Sequence, residues 1–264
     1  MVGQPLAPVI VVGGHKGGIG RTVTAVNLAA MLALSGRRTL LLDLDPKGDA
    51  TAALGLPREE GRRVPEDLSD PEQLLAACRP APCPPGLDVW PGGQALEGLQ
   101  AQLWKDEDPP VDLLQRGLEL ARRRYRAILI DSLPALDPLG CNGVSVADYL
   151  VLPLSGQAFS AQAHVESLQA AERLCSRRLR IVGVCIGVRP EEVLGGKRPL
   201  MPPSSRGSMV LESAIAYDAH TLLQAADRGL PVFEHAPGSR VARSFLELGR
   251  EVIAKLVDAP APVG

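Results

Sequence analysis

A chain of 264 residues with 45% hydrophobic side chains is long enough to bury a sizeable core within one domain. Its net charge of −2 argues against a general polyanion binder, and three Phe, three Tyr and two Trp are too few for an aromatic base-stacking platform. No signal peptide is visible, and the longest apolar stretches have the length of strands, well short of a membrane-spanning helix.

In chain order, the apolar run 9–12 predicts a strand. It leads directly into His15-Lys16-Gly17-Gly18-Ile19-Gly20-Arg21-Thr22. Strand, glycine-rich turn and helix start is the order a phosphate-binding loop needs. Gly17, Gly18 and Gly20 let backbone N–H groups turn inward around phosphate oxygens, and the new helix points its positive end at them. Thr22 sits where a hydroxyl would hold Mg²⁺. The strict pattern Gly-x₄-Gly-Lys-Ser/Thr fails twice: His15 stands at the first glycine and Arg21 at the lysine. The helix is expected over 22–34, closed by Gly36.

A short apolar strand at 39–42 runs into Asp43-Leu44-Asp45-Pro46-Lys47-Gly48-Asp49-Ala50-Thr51. Carboxylates here can orient an attacking water and the waters of a metal shell, the positioning that phosphoryl transfer requires. The stretch 57–85, rich in Pro, Gly and charge, reads as irregular. A helix is predicted over 111–124; Arg122, Arg123 and Arg124, with Arg126, read as a cationic helix C-terminus. Ala127-Ile128-Leu129-Ile130-Asp131 is a buried strand with a carboxylate at its C-terminal end, where ligands of parallel α/β sheets sit. A further helix is expected over 161–174, irregular chain over 190–208, and a disordered tail at 259–264. Alternation of apolar strands with amphipathic helices predicts an α/β fold: a single doubly wound, mostly parallel sheet flanked by helices. The five cysteines (Cys78, Cys83, Cys141, Cys175, Cys185) have an odd count and no C-x-x-C pair, so they read as reduced core thiols. Cys78 and Cys83 form a C-x₄-C spacing that leaves a metal or redox pair open as the minor alternative.

Together these motifs resemble the ParA/MinD/Soj ATPases, nearest to the small ParA/Soj chromosome-partitioning proteins. The loop from Lys16 to Thr22 is similar to their deviant Walker A, Lys-Gly-Gly-x-Gly-Lys-Thr. Residues 43–51 are similar to D-x-D-P-Q-G-N-A-T, with Lys47 and Asp49 departing toward the D-P-K-x-D-S-T of the nitrogenase iron protein. Ile128 to Pro134 is similar to a Walker B, with Leu133 for the first proline. The segments 86–92, 147–154 and 180–188, the Gly-Leu-Pro-Val of 229–232 and a final helix over 241–257 extend the likeness. It covers residues 9–257, one ParA-like P-loop ATPase domain of the SIMIBI type, with short flexible tails at 1–8 and 258–264.

The resemblance implies ATP and Mg²⁺ as cofactors. It puts Lys16, Gly17, Gly18, Ile19, Gly20, Arg21, Thr22 and Val23 around the nucleotide, and Thr22, Asp43 and Asp131 around the metal. Lys16 would reach the phosphates of the other subunit, Asp45 would lie near the attacking water, and Arg21 would replace the lysine that bridges the β- and γ-phosphates. Arginine keeps the charge but is a planar fork, not a compact point charge. The implied partners are a second copy in an ATP-dependent homodimer, a ParB-like activator and non-specific duplex DNA; the implied location is cytoplasmic and nucleoid-associated. Residues 171–264 carry 13 Lys+Arg against 10 Asp+Glu, whereas residues 1–170 carry 15 against 20. Arg177, Arg178, Lys197, Arg198, Arg206, Arg240 and Arg243 are candidate phosphate contacts, with Arg198, Arg206 and Arg243 foremost. A solvated basic face is the competing reading. The helix-breaking end Asp258-Ala259-Pro260-Ala261-Pro262 disfavours a membrane-inserting terminal helix. Two alternatives stand beside the switch ATPase: a nucleotide-binding, weakly or non-hydrolysing interaction protein, suggested by Arg21, and an iron–sulfur relative, suggested by Asp-Pro-Lys-Gly-Asp but lacking aligned cluster cysteines.

Overall fold

Five short apolar runs alternate their side chains between two buried faces, and that alternation sets the layers. The computed structural model describes residues 6–14, 20–59, 68–107, 109–133, 137–154, 169, 173, 179–188 and 208–258. Strands β1 (Val9–Val12), β2 (Thr39–Asp43), β4 (Leu87–Trp90), β5 (Ala127–Asp131) and β6 (Tyr149–Leu154) are almost wholly buried. Val9, Val11, Leu40, Leu42, Ile128 and Ile130 face one hydrophobic cluster; Ile10, Val12, Leu41, Ala127 and Leu129 face the other. A period of two with both sides apolar is what a strand covered on both faces requires.

The sheet has eight strands in the order β3-β4-β2-β5-β1-β6-β7-β8, with β7 (Arg180–Val188) and β8 (Ser208–Ala216) at one end. Every pairing is parallel except that of the two-residue β3 (Arg79–Pro80) with β4. The doubly wound parallel α/β sheet expected from the sequence is therefore the fold.

Helix α1 (Arg21–Leu34) is buried from Thr24 through Ala33, because it lies between the sheet and α9 (Arg240–Val252). With α2 (Asp49–Ala52), α7 (Ala219–Asp227) and α8 (Val232–His235), these helices cover one face. Helices α3 (Pro71–Ala77), α4 (Ala95–Lys105), α5 (Leu113–Arg124) and α6 (Pro138–Ser145) cover the other.

Two motif segments act as structural staples. Asp148 accepts the Val9 amide at 2.8 Å and the Arg122 guanidinium at 2.5 Å, tying the start of β1 to α5 and β6. Arg122 is thus an ion-pair partner as well as part of a cationic helix end. Asn27 on α1 accepts the Val232 amide at 2.7 Å, which docks the Gly-Leu-Pro-Val segment onto the helix.

The structure departs from the expectations in definite places. Within 57–85, expected to be irregular, Asp70 accepts the amides of Glu72 and Gln73, Pro71 takes the first helical position, and α3 follows with Leu74 buried. Helix α1 starts one residue early, at Arg21, and α5 two residues late. The last helix ends at Val252 and continues as a π-helical turn, Ile253–Val257. Helices α4, α6 and α7 and strand β8 have no counterpart among the expected elements. Most of the helix expected over 161–174, the stretch 190–207 and the tail 259–264 lie outside the described residues. Among the described residues no helix is long and apolar enough to cross a membrane, and no group of three or more His, Cys, Asp or Glu is arranged to hold a metal ion.

Candidate nucleotide site

The register of the central strands brings three chain ends to one edge. Val12 lies opposite Asp131 in the β1–β5 pairing, and Asp43 lies opposite Asp131 in the β2–β5 pairing. The end of β1, which leads into the glycine-rich turn, therefore meets two carboxylates at the C-terminal edge of the sheet, where open α/β sheets bind ligands.

Asp43 is fully buried and held by its own turn. Its Oδ2 accepts the Thr51 amide at 2.8 Å and the Thr51 hydroxyl at 2.7 Å, and its Oδ1 accepts the Asp45 amide at 3.2 Å. The Thr51 hydroxyl in turn accepts the Gly92 amide at 2.9 Å. Gly92 must lack a side chain: a Cβ there would sit 2.6 Å from the Asp43 carboxyl carbon. Burial pushes the Asp43 carboxyl up to about 6, although Thr51 and the Asp45 amide pull it down.

Asp131 is 2% exposed, and its Oδ2 has no hydrogen-bond partner among the described residues. Burial pushes its carboxyl well above the usual range and the neighbouring Asp43 charge adds to this; a Thr22 hydrogen bond and the Arg21 charge pull the other way. An orphaned, buried carboxylate oxygen beside a helix-start hydroxyl is the donor set a hard divalent cation takes. Asp131 and Thr22 thus fit Mg²⁺, whereas the oxygens of Asp43 are already engaged by the turn it anchors.

Gly20, with φ +78, caps α1 without a side-chain hydrogen bond, so the first-turn amides have no side-chain cap from it. Arg21 and Thr22 are half-buried. The Arg21 Nη1 donates to the Gly14 carbonyl at 2.7 Å, tying the guanidinium to the backbone that follows β1. Asp45 is half-buried and its Oδ1 accepts the Lys47 amide at 2.9 Å. Val23 lines a cavity of about 330 Å³ with Thr22, Val26, Asn27, Asp49 and Arg58, bounded by α1, α2 and α7.

The structure thus brings Gly20, Arg21, Thr22, Val23, Asp43, Asp45 and Asp131 to one edge. Lys16, Gly17, Gly18 and Ile19 lie outside the described residues, as do Arg177, Arg178, Lys197, Arg198 and Arg206. Arg240 and Arg243 are exposed on α9, remote in sequence from the loop. Sequence reasoning missed Thr51, Gly92 and Arg58. Thr51 was visible as the last position of the acidic motif; Gly92 and Arg58 carried no local signal.

A glycine-rich stretch between the central strand and a buried helix, with an acidic residue ending the neighbouring strand, defines a P-loop nucleoside triphosphatase. Residues 7–180 match the family model described as an AAA domain. The chain is 30% identical over 254 residues to the chromosome-partitioning ATPase Soj of Thermus thermophilus, covering 95% of this chain and 97% of that protein. It is 29% identical to the chromosome partitioning protein ParA of Caulobacter vibrioides, covering 99% of each. The septum site-determining protein MinD of Pyrococcus horikoshii, solved with Mg-ADP, superposes with a TM-score of 0.72 at 18% identity over 98% of this chain and all of that one. The chain belongs to the ParA/MinD/Soj family of ATPases.

Proposed function

We propose that this protein is an ATP-dependent dimerising switch that positions DNA or another cargo, binding and hydrolysing ATP at the edge formed by β1, β2 and β5. The observation that carries the reading is the buried Asp131 with its orphaned Oδ2 beside Thr22. The Mg-ADP complexed with the Pyrococcus MinD supports a nucleotide and magnesium as the ligand pair.

In this reading the amides of 17–20 and the start of α1 bind the β-phosphate, and Thr22 with Asp131 hold the metal. Bound there, Mg²⁺ would neutralise charge developing on the β- and γ-phosphates. Asp43 fixes the turn after β2, and Asp45 orients the attacking water. Arg21 supplies a positive charge to the phosphates from a side chain tethered at Gly14. Lys16 serves the phosphates of a second copy, which makes ATP the signal for dimerisation. The dimer then presents two basic surfaces to duplex DNA, with Arg243 on α9 and Arg198 and Arg206 as the phosphate contacts. A ParB-like protein stimulates turnover.

Titration calorimetry with ATP, with and without Mg²⁺, tests the core of this reading. Magnesium-dependent binding is expected. Absence of binding at millimolar nucleotide would overturn it.

A further inference from the structure

We propose that Arg58 is a positioning residue for hydrolysis, clamping the turn that carries Asp45. The inference rests on the ATPase reading above and extends it to a residue in a stretch whose composition reads as irregular.

The Arg58 side chain bridges both sides of Gly48. Its Nε donates to the Lys47 carbonyl at 2.6 Å, and its Nη2 donates to Asp49 Oδ1 at 3.1 Å. Gly48 has φ +62, a left-handed conformation that reverses the chain. A Cβ there would lie 2.8 Å from Arg58 Cγ and 3.0 Å from the Gly92 carbonyl oxygen, so the arginine stem packs directly on the turn.

The same turn sets Asp45. The Lys47 amide donates to Asp45 Oδ1 at 2.9 Å, and the Gly48 amide donates to the Asp45 carbonyl at 2.8 Å. Lys47 therefore holds the Asp45 carboxylate through its N–H while Arg58 holds Lys47 through its C=O.

The base of Arg58 is itself fixed. The neighbouring Glu59 amide donates to the Gly92 carbonyl at 2.9 Å, the Glu59 carbonyl accepts the Ala95 amide at 3.1 Å, and the Glu59 carboxylate meets Arg79 at 2.8 Å. Gly92 reaches Asp43 through Thr51. A closed circuit thus runs from Asp43 through Thr51, Gly92, Glu59 and Arg58 to Lys47 and Asp45. Within this circuit the Arg58 side chain is 49% accessible and lines the same cavity as Thr22.

Chemistry explains the residue types. A guanidinium offers Nε and an Nη in one plane and can serve a carbonyl and a carboxylate together, whereas an ammonium is a point charge. Asp49, standing where the family pattern has asparagine, supplies the charge that Arg58 pairs with. A solvent-exposed ion pair adds little to stability. Placement matters far more to turnover, since an error of about 1 Å in a reacting geometry costs on the order of a hundredfold.

Steady-state and single-turnover ATPase assays with Mg²⁺ on the full chain, alongside thermal melts, test the proposal. Arg58→Ala should lower kcat about tenfold or more, with the KM for ATP within about twofold and the melting temperature little changed. Arg58→Lys should recover part of the rate, and Asp49→Asn should fall between. Wild-type kcat in Arg58→Ala overturns the proposal, as does a raised KM at unchanged kcat, which would make Arg58 a binding contact. A wild-type rate in Arg58→Lys, with the variant folded, removes the argument for a two-acceptor clamp, because a single ammonium would then suffice. A wild-type chain that neither binds nor turns over Mg-ATP sinks the ATPase reading itself, a failure distinct from these.

Discussion

Replacing Arg21 by lysine should accelerate ATP hydrolysis. Arg21 opens α1, beside Thr22, and its Nη1 donates to the Gly14 carbonyl at 2.7 Å. That bond engages one nitrogen of the guanidinium with the backbone at the end of β1. The charge is retained, so ATP affinity should change little. Its placement is what suffers, because a planar fork tethered at one end cannot centre between β- and γ-oxygens as a compact ammonium does. A displacement of about 1 Å corresponds to about a hundredfold in rate, or about 2.7 kcal/mol of barrier. Arg21→Lys should recover part of that, at least several-fold. Phosphate release under saturating Mg-ATP gives the rate, and calorimetry gives the affinity. A lower rate in Arg21→Lys would refute the reasoning: the loop would then be built around arginine, and the weakly hydrolysing alternative would lose its main support.

Four further outcomes are expected. Asp131→Asn should abolish the magnesium dependence of nucleotide binding measured by calorimetry. The same variant bears on pH. Both buried carboxylates are raised above the ordinary range in the folded protein, so the metal-free protein is most stable below about pH 4 and loses stability as pH rises from there through about 6 for Asp43 and further for Asp131; chemical denaturation from about pH 4 to about pH 7 should show that decline, flattened by Asp131→Asn, and an unchanged slope would count against the mutual effect of the two carboxyls. Lys16→Ala should leave ATP affinity within a few-fold yet eliminate the ATP-bound dimer in light scattering; a mutant that still dimerises removes the cross-subunit role. Replacing Arg198, Arg206 and Arg243 together by Glu should eliminate ATP-dependent, salt-sensitive DNA binding in a filter or anisotropy assay, and retained binding would mean another face is used.

Local pattern carried much of this protein into view. A strand followed by a glycine-rich turn, a D-x-D turn after a second strand, and an apolar run ending in aspartate are each contiguous. Their chemistry depends on neighbours in the chain, so ligand class and the doubly wound, mostly parallel sheet were legible. The period-two alternation of β1, β2 and β5 between two apolar faces likewise announced a sheet covered on both sides. The cap Asp70-Pro71 is equally local, but the Pro, Gly and charge around it mask the helix it starts.

What tertiary structure decided is which of the acidic residues has spare capacity. Asp43 and Asp131 look alike in sequence, each closing an apolar strand. Strand register sets them opposite each other, and the turn that follows fills the oxygens of Asp43, Oδ2 with Thr51 and Oδ1 with the Asp45 amide, while leaving Asp131 Oδ2 open. Gly92, forty-nine residues from Asp43, is required only because its Cα lies against that carboxyl group. Arg58 gains a role only because Gly92 holds the chain beside Gly48. Such contacts follow from register and from the close approach of distant backbone, and neither leaves a periodic or compositional trace along the chain.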